Sequence, residues 1–111
     1  NITIVYDNPK NALLALQQLI KQKGGFCAIE DGKVIASLEL PVAGLMSDES
    51  INVLVDKITK MNKANVRLGN TYIDNPISRI TILSLLVCPY VKISDKGIVL
   101  TEEKKYVPLF Y

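Results

Sequence analysis

The period of apolar and polar positions changes several times along this chain, and each change marks an element. Residues Ile2 to Tyr6 are β-branched and apolar on both faces, the pattern of a strand covered on both sides. Asn8-Pro9 then starts a helix, with Asn8 as N-cap and Pro9 at the first helical position. Leu13, Leu16, Leu19 and Ile20 recur at helical spacing, and Gly24-Gly25 ends the run. Phe26 to Glu30 is the next strand, so strand, helix and strand imply a right-handed crossover and a parallel pair. Asp31-Gly32 is the signal of a two-residue type I′ hairpin. It folds Lys33 to Leu40 back antiparallel, with Val34, Ala36, Leu38 and Leu40 on one face.

Pro41 forbids continuation of that strand, and Gly44 supplies freedom for a tight connection. Val42, Ala43, Leu45 and Met46 make this connection apolar, which is unusual for a surface loop. Ser47 and Asp48 then open the longest helix, with Ser47 as its cap. The stripe Ile51, Leu54, Ile58, Met61 and Leu68 carries that helix from about Asp48 to Leu68, and Gly69-Asn70 ends it. Asn75-Pro76 repeats the helix-start signal, yet Ile80 to Val87 is rich in strand formers. Period alone does not choose between helix and strand over 76–87; the favoured reading is a helical turn leading into a buried extended piece. After Pro89, Tyr90 to Ile93 and Ile98 to Leu100 flank Ser94-Asp95-Lys96-Gly97 as a hairpin, and Tyr106 to Tyr111 is an apolar end, tied down on the rest.

These elements predict an α/β (α+β) fold. A mixed sheet of five to seven strands begins with a β-α-β unit, and two long helices pack mainly on one face. At 111 residues, 49% of them hydrophobic, residues 1–111 form a single domain with enough core to fold unaided. No run approaches the roughly 20 apolar residues of a membrane span, and no signal peptide opens the chain. It begins at Asn1, already in strand-like sequence, and so reads as a piece of something longer.

Charge changes the picture little, with a net +2. Lys57, Lys60, Lys63 and Arg67 fall on one side of the long helix. With no aromatic residues interleaved, they read as a solvated face rather than a nucleic-acid surface. Cys27 and Cys88 stand alone in apolar surroundings, as reduced core thiols of a cytoplasmic protein do.

Candidate chemistry is sparse. The chain has no histidine, which removes the commonest general base and metal ligand and excludes Ser-His-Asp or Cys-His catalysis within it. No GxGxxG or P-loop spacing follows the first strand. Asp48-Glu49 is either a functional pair at the mouth of a cleft or, more economically, a complement to the helix dipole. Ser47 is a substrate contact or a cap. Gly44, Leu45, Met46, Ser47 and Asp48 thus form either a helix cap or a loop facing an active site. Val42, Leu45 and Met46 are the candidate docking surface.

Several of these stretches together resemble one family. Gly24-Gly25, a strand, Asp31-Gly32-Lys33-Val34 and then Leu40-Pro41-Val42-Ala43-Gly44-Leu45-Met46-Ser47-Asp48-Glu49 are similar to the C-terminal domain of microbial adenine deaminase, in the amidohydrolase superfamily. Ser84 to Pro89, Ile93 to Gly97 and Tyr106 to Phe110 match later segments of that pattern, so the resemblance covers essentially the whole chain. Ser78-Arg79 stands where the family tends to have Met-Thr, and Val87-Cys88 varies its Val-Ile.

The resemblance implies a catalytic barrel N-terminal to this stretch, which holds manganese or iron through histidines and carboxylates and hydrolyses adenine to hypoxanthine and ammonia in purine salvage. It assigns no catalytic residue, metal ligand or cofactor to residues 1–111. The implied partners are that barrel, in the same enzyme, and further copies in a homo-oligomer, with no nucleic acid and no membrane. This stretch alone is then inactive and structural. A free-standing binding module of the same fold is the alternative, and an independent enzyme the weakest reading, for want of histidine.

Overall fold

A computed structural model describes residues 2–71 and 75–108. The elements are α1 (Pro9–Lys21), β1 (Gly25–Glu30), β2 (Lys33–Glu39), α2 (Ile51–Arg67), α3 (Pro76–Ser84), β3 (Val91–Ser94), β4 (Gly97–Leu100) and β5 (Lys105–Val107). They fall into two compact units, Ile4–Ile77 and a second built mainly from Ser78 onward.

In the first unit α1 forms where the sequence marks it. Asn8 is extended, its Oδ1 accepts from the Asn11 backbone N–H at 2.9 Å, and Pro9 is the first helical residue. Leu13 and Ile20 of the predicted apolar face point to solvent, and Ala15 is the residue α1 buries. β1 and β2 pair antiparallel around Asp31 (φ 47°) and Gly32 (φ 72°), the two positive-φ positions of a type I′ turn. Ala28 pairs with Ala36 but Ile29 pairs with Val34, so Ile35 is an extra residue in β2. That bulge inverts the alternation, and Val34 is exposed while Ile35, Ala36, Leu38 and Leu40 pack inward. Met61 and Ala64 of α2 close the core against Ala28, Leu38 and Leu40, with Leu54, Ile58 and Ile77 around them.

The second unit carries an antiparallel meander, β3-β4-β5. Its first hairpin is the predicted one. Ser94 Oγ accepts from the Lys96 N–H at 3.1 Å and donates to the Gly97 carbonyl at 3.1 Å. β5 takes in Tyr106 and Val107 of the predicted apolar end, and Leu109 to Tyr111 lie outside the described residues.

Several expectations are corrected. There is no mixed sheet of five to seven strands; the described residues form a two-stranded and a three-stranded sheet, both antiparallel, with three helices, an α+β arrangement. Ile2 to Tyr6 is not assigned as a strand, and nothing among the described residues pairs with it. Ile2, Val5 and Tyr6 stay more than half exposed, and a β-branched run becomes a strand only through pairing and burial. Among the described residues, therefore, the β-α-β unit and its parallel pair do not form. The predicted long helix is shorter, 17 residues with Ser50 at its N-cap position, and Ile51 and Leu68 at its ends face solvent. Thr81 and Ile82 are helical rather than extended. Pro76 at the first position carries α3 through Ser84, whose Oγ donates to the Thr81 carbonyl, and Val87 beyond it is exposed.

Candidate functional site

The connection between β2 and α2 is a small, self-contained turn. Ala43 (φ 57°) and Gly44 (φ 73°) take consecutive left-handed conformations. The Leu45 and Met46 N–H groups both donate to the Val42 carbonyl, at 3.0 and 3.1 Å, and the Val42 N–H donates to the Met46 carbonyl at 3.1 Å. Val42 and Met46 thus form an isolated antiparallel bridge, a hairpin in miniature. Its side chains do not fold inward: Val42 is 45% exposed, Leu45 74% and Met46 59%. Ala43 is notable here, since an alanine in this region costs roughly 1–2 kcal/mol that a glycine avoids.

Behind the turn, backbone meets backbone. A Cβ on Gly24 would lie 2.7 Å from the Gly44 Cα, so only glycine at 24 lets the turn sit this close to the α1–β1 junction. Leu40, buried at the base of the turn, donates its N–H to the Gly24 carbonyl at 3.3 Å.

Charges hold both ends of the connection. Lys57 Nζ lies 2.6 Å from Glu39 Oε2, at the end of β2, and 2.9 Å from the Glu49 carboxylate, just before α2. Ser37 Oγ lies 2.7 Å from the other oxygen of Glu39 and 2.9 Å from Gln22 Oε1. With one proton to give, the hydroxyl favours the charged acceptor. Lys57 and then Ser37 hold the Glu39 carboxyl down to about 2, and Glu39 and then Glu49 raise Lys57.

These shifts set a pH window. A depressed carboxyl contributes stability above its unfolded value near 4.5 that is lost as pH falls through the folded value of about 2. The raised lysine contributes stability below its unfolded value of 10.5, lost as pH rises above it. The stability difference between wild type and Glu39→Gln is therefore expected to be flat from about pH 5 to pH 9. It should stay near 1 kcal/mol, because the pair is partly exposed, and shrink toward zero in acid. Urea unfolding at stepped pH measures it, and a difference that persists at about pH 2 would remove the pair from this role.

The other candidates are placed as follows. Ser47 does not cap α2; its Oγ accepts from the Glu49 N–H at 3.1 Å, a local turn three residues ahead of Ser50. Asp48 and Glu49 precede the helix, whose first turn holds no acidic residue, so they are not dipole partners in it, and Glu49 is committed to Lys57. The lysine stripe is not a uniform basic face either, since Lys57 is taken by two carboxylates and Arg67 pairs with Glu30. Cys27 and Cys88 are free and half-buried, and burial pushes the Cys27 thiol up. Among the described residues no group of three or more His, Cys, Asp or Glu is placed to hold a metal ion, and no helix is long and apolar enough to cross a membrane. The two-ended hold on the connection escaped sequence reasoning: its only signals were a glutamate beside each end and a lysine two turns into a helix.

Residues 1–105 match the family model of the adenine deaminase C-terminal domain. The chain is 38% identical over 110 residues to the adenine deaminase of Thermosipho melanesiensis, covering 99% of this chain and 19% of that protein. It is 36% identical to adenine deaminase 2 of Oenococcus oeni, with 98% and 19% covered. With adenine deaminase 1 of Rhizobium meliloti it shares 40% identity over 99 residues, covering 89% and 17%. The chain thus spans about a fifth of the length of the curated relatives it matches. No solved structure matches it. With one family model spanning residues 1–105, this chain belongs to the adenine deaminase C-terminal domain family.

Proposed function

We propose that this chain is the non-catalytic docking domain of an adenine deaminase, and that the Val42–Met46 turn is where it seats against the larger, catalytic part of the same polypeptide. The whole enzyme would hydrolyse adenine to hypoxanthine and ammonia, with its metal, manganese or iron, held outside this chain. The carrying observation is the turn itself, a prebuilt backbone with three large apolar side chains aimed at solvent. Apolar groups gathered on a rigid turn favour a covered state, at about 25 cal/mol for each Å² removed from water. About four-fifths of each relative lies outside the matched stretch. A tethered partner docks at high effective concentration, so a patch this small suffices.

Leu45→Asp with Met46→Asp in the full-length enzyme tests the reading. Both side chains are exposed here, so the 111-residue chain should keep its urea midpoint. The full-length enzyme should lose most of its deaminase activity or melt several degrees lower. Unchanged activity and melting in the full-length enzyme would remove the turn from docking.

A further inference from the structure

The docking reading leaves open what holds the turn in its docking pose. We propose that Lys57 is the positioning residue that locks it, by holding the two ends of the connection, Glu39 and Glu49, against α2. This inference rests on the docking reading. The connection leaves the sheet directly after Glu39 and enters the helix directly after Glu49 and Ser50, and Lys57 bonds both carboxylates at once, at 2.6 and 2.9 Å. Ser37 fixes the far oxygen of Glu39, so that end cannot swing. The second restraint, Gly24 against Gly44, holds the tip side of the turn by steric fit and carries no charge.

Removing the ammonium does more than delete two hydrogen bonds. It leaves two carboxylates within reach of one vacated point, and like charges at that range repel. The base of the connection opens, and Val42, Leu45 and Met46 lose a common orientation. Lys60 and Lys63, on the same helix, do not substitute, since neither bonds a carboxylate among the described residues. Arginine at 57 keeps a cation that can serve both carboxylates.

The chain contains two methionines, Met46 at 59% exposure and Met61 at 1%, so oxidation by dilute peroxide reads the turn and the core in one experiment. In the full-length enzyme with Lys57 intact, Met46 should oxidise several-fold more slowly than in the 111-residue chain. With Lys57→Gln its rate should rise toward that of the 111-residue chain while Met61 stays protected, and Lys57→Arg should restore the slow rate. If Lys57→Gln leaves Met46 protected, the lock is wrong and docking stands. If Met46 oxidises equally fast in the full-length wild type and the 111-residue chain, docking fails and the lock with it. Should Met61 also become reactive in Lys57→Gln, Glu49→Gln decides, since it removes one bond at the surface: faster Met46 oxidation supports the lock, and unchanged protection overturns it.

Discussion

Gly25→Ala is expected to cost about 3 kcal/mol or more, a large share of the few kcal/mol that hold a domain of this size folded. Gly25 opens β1 at φ 103°, where side chains are rarely tolerated, and a Cβ there would lie 2.0 Å from the Leu38 carbonyl oxygen and 2.8 Å from the Leu40 nitrogen. Both neighbours are backbone, so no side chain can swing away. Relief requires parting β1 from β2 at the Gly25–Glu39 pair, at the end of β2 that leads into the Val42–Met46 turn. Gly69→Ala is the matched control, with φ 98° and nothing within 4 Å of the added carbon. It should show only the conformational cost, about 1–2 kcal/mol. Urea unfolding of both variants separates clash from conformation, and equal losses would mean that the backbone at Gly25 is less confined than described.

Met61→Ala should be nearly as damaging, at about 2–5 kcal/mol. Met61 is 1% exposed and stands where α2 meets Ala28, Leu38 and Leu40. Two of its neighbours, Ala28 and Ala64, are too small to fill the gap, so the cavity persists. Met61→Leu, similar in volume, should cost less than about 1.5 kcal/mol. A truncation that lowers the urea midpoint no more than Met61→Leu does would show that the core collapses onto the space.

Features decided within four residues were legible in the sequence. Asn8-Pro9, Asp31-Gly32 and Ser94 to Gly97 each contain their own donor, acceptor or positive-φ residue, so tertiary context had little to add. Features that depend on a distant partner were not. Ile2 to Tyr6 has strand composition but no strand paired with it among the described residues, and the bulge at Ile35 turns Val34 outward against strict alternation. For Ile80 to Leu83, Pro76 at the helix start outweighed β-branched content. At the candidate site the apolar character of 42–46 and the role of Gly44 were readable. The shift of the helix start from Ser47 to Ser50 was not, because Ser47 offers the same hydroxyl to a local turn as to a cap. Nor was Lys57 readable as anything but one of four regularly spaced cations, since its partners lie on a different strand and loop.

Docking through the turn is tested most directly by the wild-type full-length enzyme itself. Met46 is more than half exposed in this chain and Met61 is buried, so the ratio of their oxidation rates reports whether the turn is covered, with the core as internal reference. Docking requires Met46 to be protected in the full-length enzyme, several-fold relative to the 111-residue chain, while Met61 is slow in both. Met46 reacting at the same rate in both, with Met61 still protected, would contradict it.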